Sequence, residues 1–189
     1  MAQNAMQTQI QAAMHPAQPI DFASCLKKTL YINPRNAAYA SHLYSVMDDW
    51  DTFHKAIMDI PSNILTHVVN TPLHGMYTLL SLACAKSCYL AALSLLYAGA
   101  DVNQVPSSSV ERDSPLITLI VNAKMDVRIT VLDVSAVEIV AAELILRGAT
   151  VNFINSRLET ALMWARHTKN QVLIDLLVES GAAEELEYN

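Results

Sequence analysis

Two cysteines and two histidines are the residues whose types could hold a zinc ion in this sequence. Cys84 and Cys88 stand four residues apart, and His67 and His74 precede them. A structural zinc site takes four Cys or His ligands, which commonly come in two closely spaced pairs. The spacing here supplies no second pair. We therefore interpret both cysteines as small buried hydrophobic residues, and we expect neither a metal ion nor a cofactor.

A cysteine nucleophile is the second kind of chemistry that the sequence could support. Cys25 could use His42 or His54 as its base, but no known signature surrounds Cys25. The sequence also contains no phosphate-binding loop, zinc-binding helix motif or nucleophilic-serine motif. We expect no catalytic residue, with a cysteine-dependent enzyme using Cys25 as the alternative. Three cysteines without a paired framework favour a reducing compartment, which predicts an intracellular, cytoplasmic location.

The densest acidic cluster of the sequence could suggest metal binding or general acid–base chemistry. It consists of Asp48, Asp49 and Asp51, followed by His54. These carboxylates stand at the start of a predicted helix over residues 50–59. Anions at that position cap free N–H groups and offset the helix dipole, so we assign them a structural role.

Composition limits the classes of partner. The chain has 189 residues, 52% of them hydrophobic, and a formal net charge of -6. Only 12 residues are Lys or Arg, so the basic face that nucleic acids require is not expected. The sequence contains no run of about 18 uncharged apolar residues, so we predict no membrane span. Residues 1–20 carry no secretion signal and are expected to form a flexible arm.

Three similar segments set the positions of the helices. Residues 95–103 read LLYAGADVN, residues 144–152 read LILRGATVN, and residues 176–182 read LLVESGA. Each glycine follows an apolar helical pattern, as expected where a helix stops in the left-handed conformation. Before these segments, Thr78 and Thr160 begin apolar stretches that contain Ala83 and Ala165. The pattern predicts repeated pairs of antiparallel helices.

The repeated unit resembles the ankyrin repeat, whose signature is Thr-Pro-Leu-His-x-Ala, a second helix, and then Gly-Ala-Asp-x-Asn. The resemblance covers about three quarters of the chain. It implies an all-α solenoid of stacked helix pairs with β-hairpin fingers, and a non-enzymatic module that binds another protein through its concave face and finger loops. We expect a monomer. Ankyrin repeats also occur in bacterial proteins delivered into host cells, which is an alternative role.

The glycine positions fix the register of the repeats. Residues 71–74 spell Thr-Pro-Leu-His, but counting back from Gly99 places the helix start at Thr78 and makes residues 71–74 part of a finger. Asn70 then corresponds to Asn103 and Asn152. The register predicts an array over residues 21–182 with a degenerate first repeat, and an acidic tail over residues 183–189. The repeats span residues 34–70, with helices over 34–47 and 50–59, then 71–103, 104–152 and 153–182.

The third repeat is longer than the others. Gly148 and Gly181 are 33 residues apart, whereas Gly99 and Gly148 are 49 apart. Part of the excess lengthens the finger, and the rest is an insertion over residues 123–135 between the two helices. Longer helices and an ordered loop both fit this insertion. A second hypothesis makes this enlarged repeat the partner-binding surface, through residues 104–113 and 123–135.

The resemblance also implies which residues contact a partner, namely those of the fingers and of the exposed side of the first helices. Tyr77 and Arg157 are the expected hot spots, because aromatic and arginine side chains carry most interface energy. Trp164 is expected in the core. The implied contact residues are His74, Tyr77, Lys86, Val110, Glu111, Asp113, Asn122, Ser156, Arg157, Glu159 and His167.

Overall fold

The computed structural model describes residues 33–73, 77–105, 112–125 and 131–183, and every regular element in these ranges is an α-helix. The all-α class predicted from the sequence is confirmed. The predicted arm over residues 1–20 and the tail beyond Ala183 lie outside the described residues. The helices are α1 (Pro34–Ser45), α2 (Trp50–Met58), α3 (Ser62–Val69), α4 (Leu79–Ala85), α5 (Tyr89–Tyr97), α6 (Pro115–Met125), α7 (Val131–Leu146), α8 (Ala161–Thr168) and α9 (Gln171–Glu179).

The helices form two rows. The inner row is α1, α4, α6 and α8, and each of these helices packs against the next. The outer row is α2, α5, α7 and α9, which pack in the same sequential way. Each inner helix also packs against the outer helix that follows it, so the core lies between the rows. Ala83 and Ala165 are fully buried there, as their small size predicts.

Hydroxyl side chains start the inner helices α4 and α8. The Thr78 hydroxyl accepts a hydrogen bond from the Ser81 N–H, and the Ser81 hydroxyl in turn accepts one from the Thr78 N–H. The Thr160 hydroxyl accepts from the Met163 N–H at 3.3 Å. Each cap satisfies donors that a helix start otherwise leaves unpaired. The helix start predicted at Thr78 is therefore confirmed, and Leu73 pairs with Tyr77 in the preceding finger through two backbone hydrogen bonds.

Glycines end the outer helices α5, α7 and α9. Gly99, Gly148 and Gly181 have φ angles of 87°, 88° and 88°. The N–H of the following alanine reaches back to a carbonyl of the last helical turn, as in the Ala100 bond to Leu95 O at 2.9 Å. This left-handed ending strains any residue that carries a Cβ atom. The helix stops read from the sequence are confirmed.

Three asparagines join each repeat to the next. The Asn103 side-chain amide donates to Gly148 O at 2.9 Å, and its carbonyl oxygen accepts from the Thr150 N–H at 2.8 Å. Asn70 makes the same two bonds to Gly99 and Asp101, and Asn152 makes them to Gly181 and Ala183. The three residues are therefore structurally equivalent, as the register predicts.

The first repeat contains a helix that the sequence analysis missed. The predicted helices over 34–47 and 50–59 correspond to α1 and α2, but α3 follows and packs against α1. The sequence predicts only that Pro61 ends the second helix. It occupies the N-cap position of α3, where the missing N–H of proline costs nothing.

The insertion lengthens the helices of the third repeat. α6 has 11 residues, whereas α4 has 7 and α8 has 8. α7 has 16 residues, whereas α5 and α9 have 9 each. Residues 123–125 and 131–135 thus belong to helices, and residues 126–130 between them lie outside the described residues.

Candidate binding site at the third finger

Four of the predicted contact residues meet at the third finger, which we define as residues 153–159. They are Asp113, Arg157 and Glu159, with His167 on the adjacent helix α8. The finger turns tightly between Asn155 and Glu159, where the Asn155 N–H donates to Glu159 O at 3.1 Å. Leu158 completes the turn with a φ angle of 62°.

Asn155 holds the finger in this shape, and it is the functional residue that the sequence analysis missed. Its side chain is only 4% exposed. Its carbonyl oxygen accepts from the N–H groups of Arg157 and Glu159, both at 2.9 Å. Its amide donates to Asp113 Oδ1 at 2.7 Å and to Glu159 Oε2 at 3.0 Å. One buried amide thus ties the third finger to the residues that precede α6.

The Glu159 carboxylate is fixed by three donors. Besides Asn155, Arg157 Nε donates to it at 2.9 Å and Trp164 Nε1 at 3.3 Å. These bonds, with that of Asn155 contributing most, hold the pKa of Glu159 below its usual range despite the opposing effect of burial. The finger therefore presents a carboxylate that stays charged and keeps one orientation.

A groove of about 300 Å³ lies beside this carboxylate, between the finger and α8. It is lined by Glu159, Met163, Trp164 and His167. Met163 is 48% exposed, and the edge of the His167 ring faces Trp164 at 5.6 Å between centroids. The expectation that Trp164 belongs to the core is wrong in part. Trp164 packs partly against the core, but its ring also lines the groove because its N–H bonds to Glu159.

Comparison with known proteins concerns the array as a whole. No model of a protein family and no curated protein matches the sequence. The chain is similar to the solved structure of an ankyrin repeat domain from Acinetobacter baumannii, with a TM-score of 0.58 and 20% identity over 75% of this chain and 64% of that one. The chain folds as an ankyrin-repeat array.

Two further solved structures are similar to this ankyrin-repeat array. The ankyrin repeat domain of Bcl-3, a member of the IkappaB family, has a TM-score of 0.52 and 25% identity over 71% of this chain and 52% of that one. The ankyrin repeat domain of human ASB11 has a TM-score of 0.46 and 26% identity over 58% of this chain and 42% of that one. The chain thus spans less than two thirds of the length of each of these three structures.

The other predicted contact residues lie away from the groove or outside the described residues. Tyr77 is exposed at the end of the first finger. Asn122 is half-buried and donates to Thr118 O of its own helix at 2.8 Å. Ser156 is exposed on the third finger. Three predicted contact residues lie outside the described residues: His74, Val110 and Glu111.

Lys86 is engaged within the array. Its ammonium pairs with Asp48 at 2.7 Å and lies 4.9 Å from the centroid of the Tyr44 ring. The hydrogen bond to Lys86 is the main reason that the pKa of Asp48 lies below its usual range. The helix-capping role expected for the acidic cluster is thus wrong for Asp48. Asp49 stands at the N-cap of α2, where its carboxylate accepts from the Thr52 hydroxyl, and Asp51 lies in the first turn of that helix, as expected.

The described cysteines are poor nucleophiles. Cys84 is buried, as predicted, and burial raises the pKa of its thiol to about 12. Burial, followed by a hydrogen bond to Asp48, raises the pKa of Cys88 to about 11. The described part of the chain contains no group of three or more His, Cys, Asp or Glu residues that could hold a metal ion. Cys25, the alternative nucleophile, lies outside that part.

In the ranges that the structure describes, no helix is both long enough and apolar enough to cross a bilayer.

Proposed function

We propose that this ankyrin-repeat array is a non-enzymatic module that binds another protein through the third finger and the adjoining groove of α8. The observation that carries the proposal is the Glu159 carboxylate, which three donors hold beside exposed apolar and aromatic side chains. A binding site of this composition combines an oriented charge with Met and aromatic side chains, which are enriched in protein interfaces.

The third finger is suited to binding because it is ordered before a partner arrives. Four hydrogen bonds of the Asn155 side chain fix the turn. A loop that is already held in its binding conformation loses little conformational entropy on association. The partner would therefore meet a rigid surface rather than a loop that must fold around it.

The groove also indicates the kind of contact. At about 300 Å³ it is shallow and accommodates one or two side chains of a protein surface. Met163 and Trp164 offer apolar contact, and Leu158 on the finger is exposed as well. Met adapts to irregular partner surfaces, and Trp is enriched among hot spots. We propose that an apolar partner side chain enters the groove while its polar neighbours contact Glu159 and His167.

The proposal is tested with a partner captured from the native cell, identified by mass spectrometry and then purified. Met163→Ser removes apolar contact from the groove without emptying the core, because Met163 is half exposed. Leu146→Ser is the matched control, since Leu146 is an exposed apolar residue of the outer helix α7. Calorimetry should show binding weakened by about tenfold or more for Met163→Ser and unchanged for the control, in line with a hot-spot loss.

Two results would exclude this site. One is unchanged affinity for Met163→Ser together with lost affinity for a variant on another face. The other is unchanged affinity when Tyr77→Ala and Arg157→Ala are combined with Met163→Ser, because that triple variant removes anchors from both described fingers.

The remaining expectations stay predictions. They are a monomeric state, a location inside the cell, the absence of a nucleic-acid partner, and, as an alternative role, delivery of a bacterial protein into a host cell. The cysteine-dependent enzyme is tested with a thiol-reactive probe at neutral pH. Fast, selective labelling of Cys25 would support it, and slow labelling would exclude it.

A further inference from the structure

The outer face carries a row of exposed aliphatic side chains. Leu90, Ile139 and Val172 are 53%, 58% and 55% exposed. Each stands nine residues before the glycine that ends its helix, so all three occupy the same position in successive outer helices. Because α5, α7 and α9 pack side by side, the three side chains form one row across the face. Single exposed aliphatic residues are ordinary, but a contiguous row marks an interaction surface.

Two grooves separate the members of this row. A groove of about 460 Å³ has Leu90 on one wall and Ile139 on the other. A second groove of about 500 Å³ has Val137 on one wall and Val172 on the other. Ala136 of the first groove and Val137 of the second belong to the extra turns of α7, which α5 and α9 lack. The extra turns of α7 therefore supply part of both grooves.

The charged residues within α5, α7 and α9 are all acidic. The sequences of α5, α7 and α9 contain no Lys or Arg. Among the residues that the structure describes, three cations stand next to the ends of these helices. Lys86 is paired with Asp48, Arg147 is paired with Glu143, and Lys169 lines the second groove. The described carboxylates of these helices are Glu138, which accepts from Asn170, Glu143, and the exposed Asp175 and Glu179 of α9. An acidic apolar face is complementary to a basic apolar partner and repels anionic lipid.

The spacing of the grooves suits an α-helix. Packed helices lie about 8–10 Å apart, so neighbouring grooves of the outer row are separated by about the same distance. Seven residues of an α-helix advance about 10.5 Å. A helix that crosses the outer row with an apolar side chain at every seventh residue would therefore place one side chain in each groove.

We propose that the outer face, defined by Leu90, Ile139 and Val172 and the two grooves between them, binds a basic amphipathic helix of a partner protein. Apolar side chains two turns apart fill the grooves, and the basic side chains of the helix face the carboxylates of α7 and α9. This surface is separate from the third finger, so either site could fail while the other stands.

The test uses a synthetic peptide of about 20 residues, long enough to span both grooves as a helix. The peptide is rich in lysine and carries leucine at every seventh position. One control peptide has the same composition with its leucines scattered around the helix, and another has glutamate in place of lysine. Fluorescence anisotropy at several salt concentrations should show the spaced basic peptide binding about tenfold or more tightly than either control, with affinity falling as salt rises.

Variants locate the peptide on the array. The triple variant Leu90→Ser, Ile139→Ser and Val172→Ser should weaken binding by about tenfold or more, since it removes the apolar row. The double variant Tyr97→Ser and Leu146→Ser is matched, because these exposed residues lie at the opposite ends of α5 and α7, and it should bind like the unmodified chain. Met163→Ser at the third finger should also have no effect. If the triple variant misfolds by circular dichroism, Ile139→Ser alone replaces it.

Several results would overturn the proposal. If the spaced and scattered peptides bound with equal affinity, the interaction would be a nonspecific electrostatic attraction and not binding to the two grooves. If the triple variant bound the spaced peptide as tightly as the unmodified chain does, the site would lie elsewhere. If the chain bound anionic vesicles and the triple variant did not, the surface would bind a membrane. If the chain sedimented as a dimer and the triple variant did not, the surface would bind a second copy of this chain.

Discussion

Replacing Asn155 by alanine should destabilise the C-terminal end of the array and loosen the third finger. The substitution removes four hydrogen bonds, two donated to the carboxylates of Asp113 and Glu159 and two accepted from the N–H groups of Arg157 and Glu159. The side chain is almost fully buried, so water cannot take its place without entering the finger.

The magnitude follows from those four bonds. A net contribution of about 1 kcal/mol each gives an upper figure of about 4 kcal/mol for the free energy of unfolding. Asp113 and Glu159 are only half-buried and can recover bonds from water, which reduces the expected loss to about 2–3 kcal/mol. For a chain of this size that loss lowers the melting temperature by about 5–10 °C.

Urea denaturation followed by circular dichroism measures the loss, and hydrogen exchange shows where it falls. Asn122→Ala is the matched control, because Asn122 is half-buried and donates a single bond to a carbonyl of its own helix. Its expected loss is about 1 kcal/mol or less. If Asn155→Ala cost no more than Asn122→Ala, or if amide protection of the third finger were unchanged, the finger would not be held by Asn155.

Three further predictions concern a titrating group, a backbone conformation and a buried thiol. Because the folded-state pKa of Glu159 is depressed, its charge stabilises the array above the unfolded pKa of about 4.3, and that stabilisation disappears as pH falls through the folded value. The stability difference between the natural chain and Glu159→Gln should therefore shrink on acidification, and a constant difference in denaturation would contradict this. Gly148→Ala should lower the free energy of unfolding by about 1–2 kcal/mol through backbone strain alone, since nothing lies within 4 Å of the new Cβ atom. Gly99→Ala should cost more, because its Cβ would lie 3.2 Å from Thr66 Oγ1, and equal melting temperatures for the two variants would refute this. Cys84 should react with a thiol reagent only after urea unfolds the array, so labelling of the native state at a comparable rate would show that it is accessible.

The features predicted correctly from the sequence depend on local chemistry. Gly99 can adopt a positive φ angle that other residues resist, and Thr78 can cap a helix with its own hydroxyl, so each position reports its role directly. The equivalence of Asn70 with Asn103 follows from counting along a repeat. The sequence therefore determines the register of the array to within a few residues.

The features missed depend on contacts between distant residues. Asn155 meets Asp113, 42 residues away, only because the two fingers lie side by side. An asparagine three residues after the repeat asparagine is the signal that could have drawn attention to it. Trp164 was placed in the core from its position in the helix, but the bond to Glu159 turns part of its ring toward the groove. The helix α3 was missed because a proline both ends helices and begins them.

Hydrogen exchange of the array with and without its purified partner tests the proposed function most directly. We predict that the partner slows exchange at the third finger and along α8, where Glu159 and Met163 line the groove. Protection confined to other regions, with no change in residues 153–168, would contradict it.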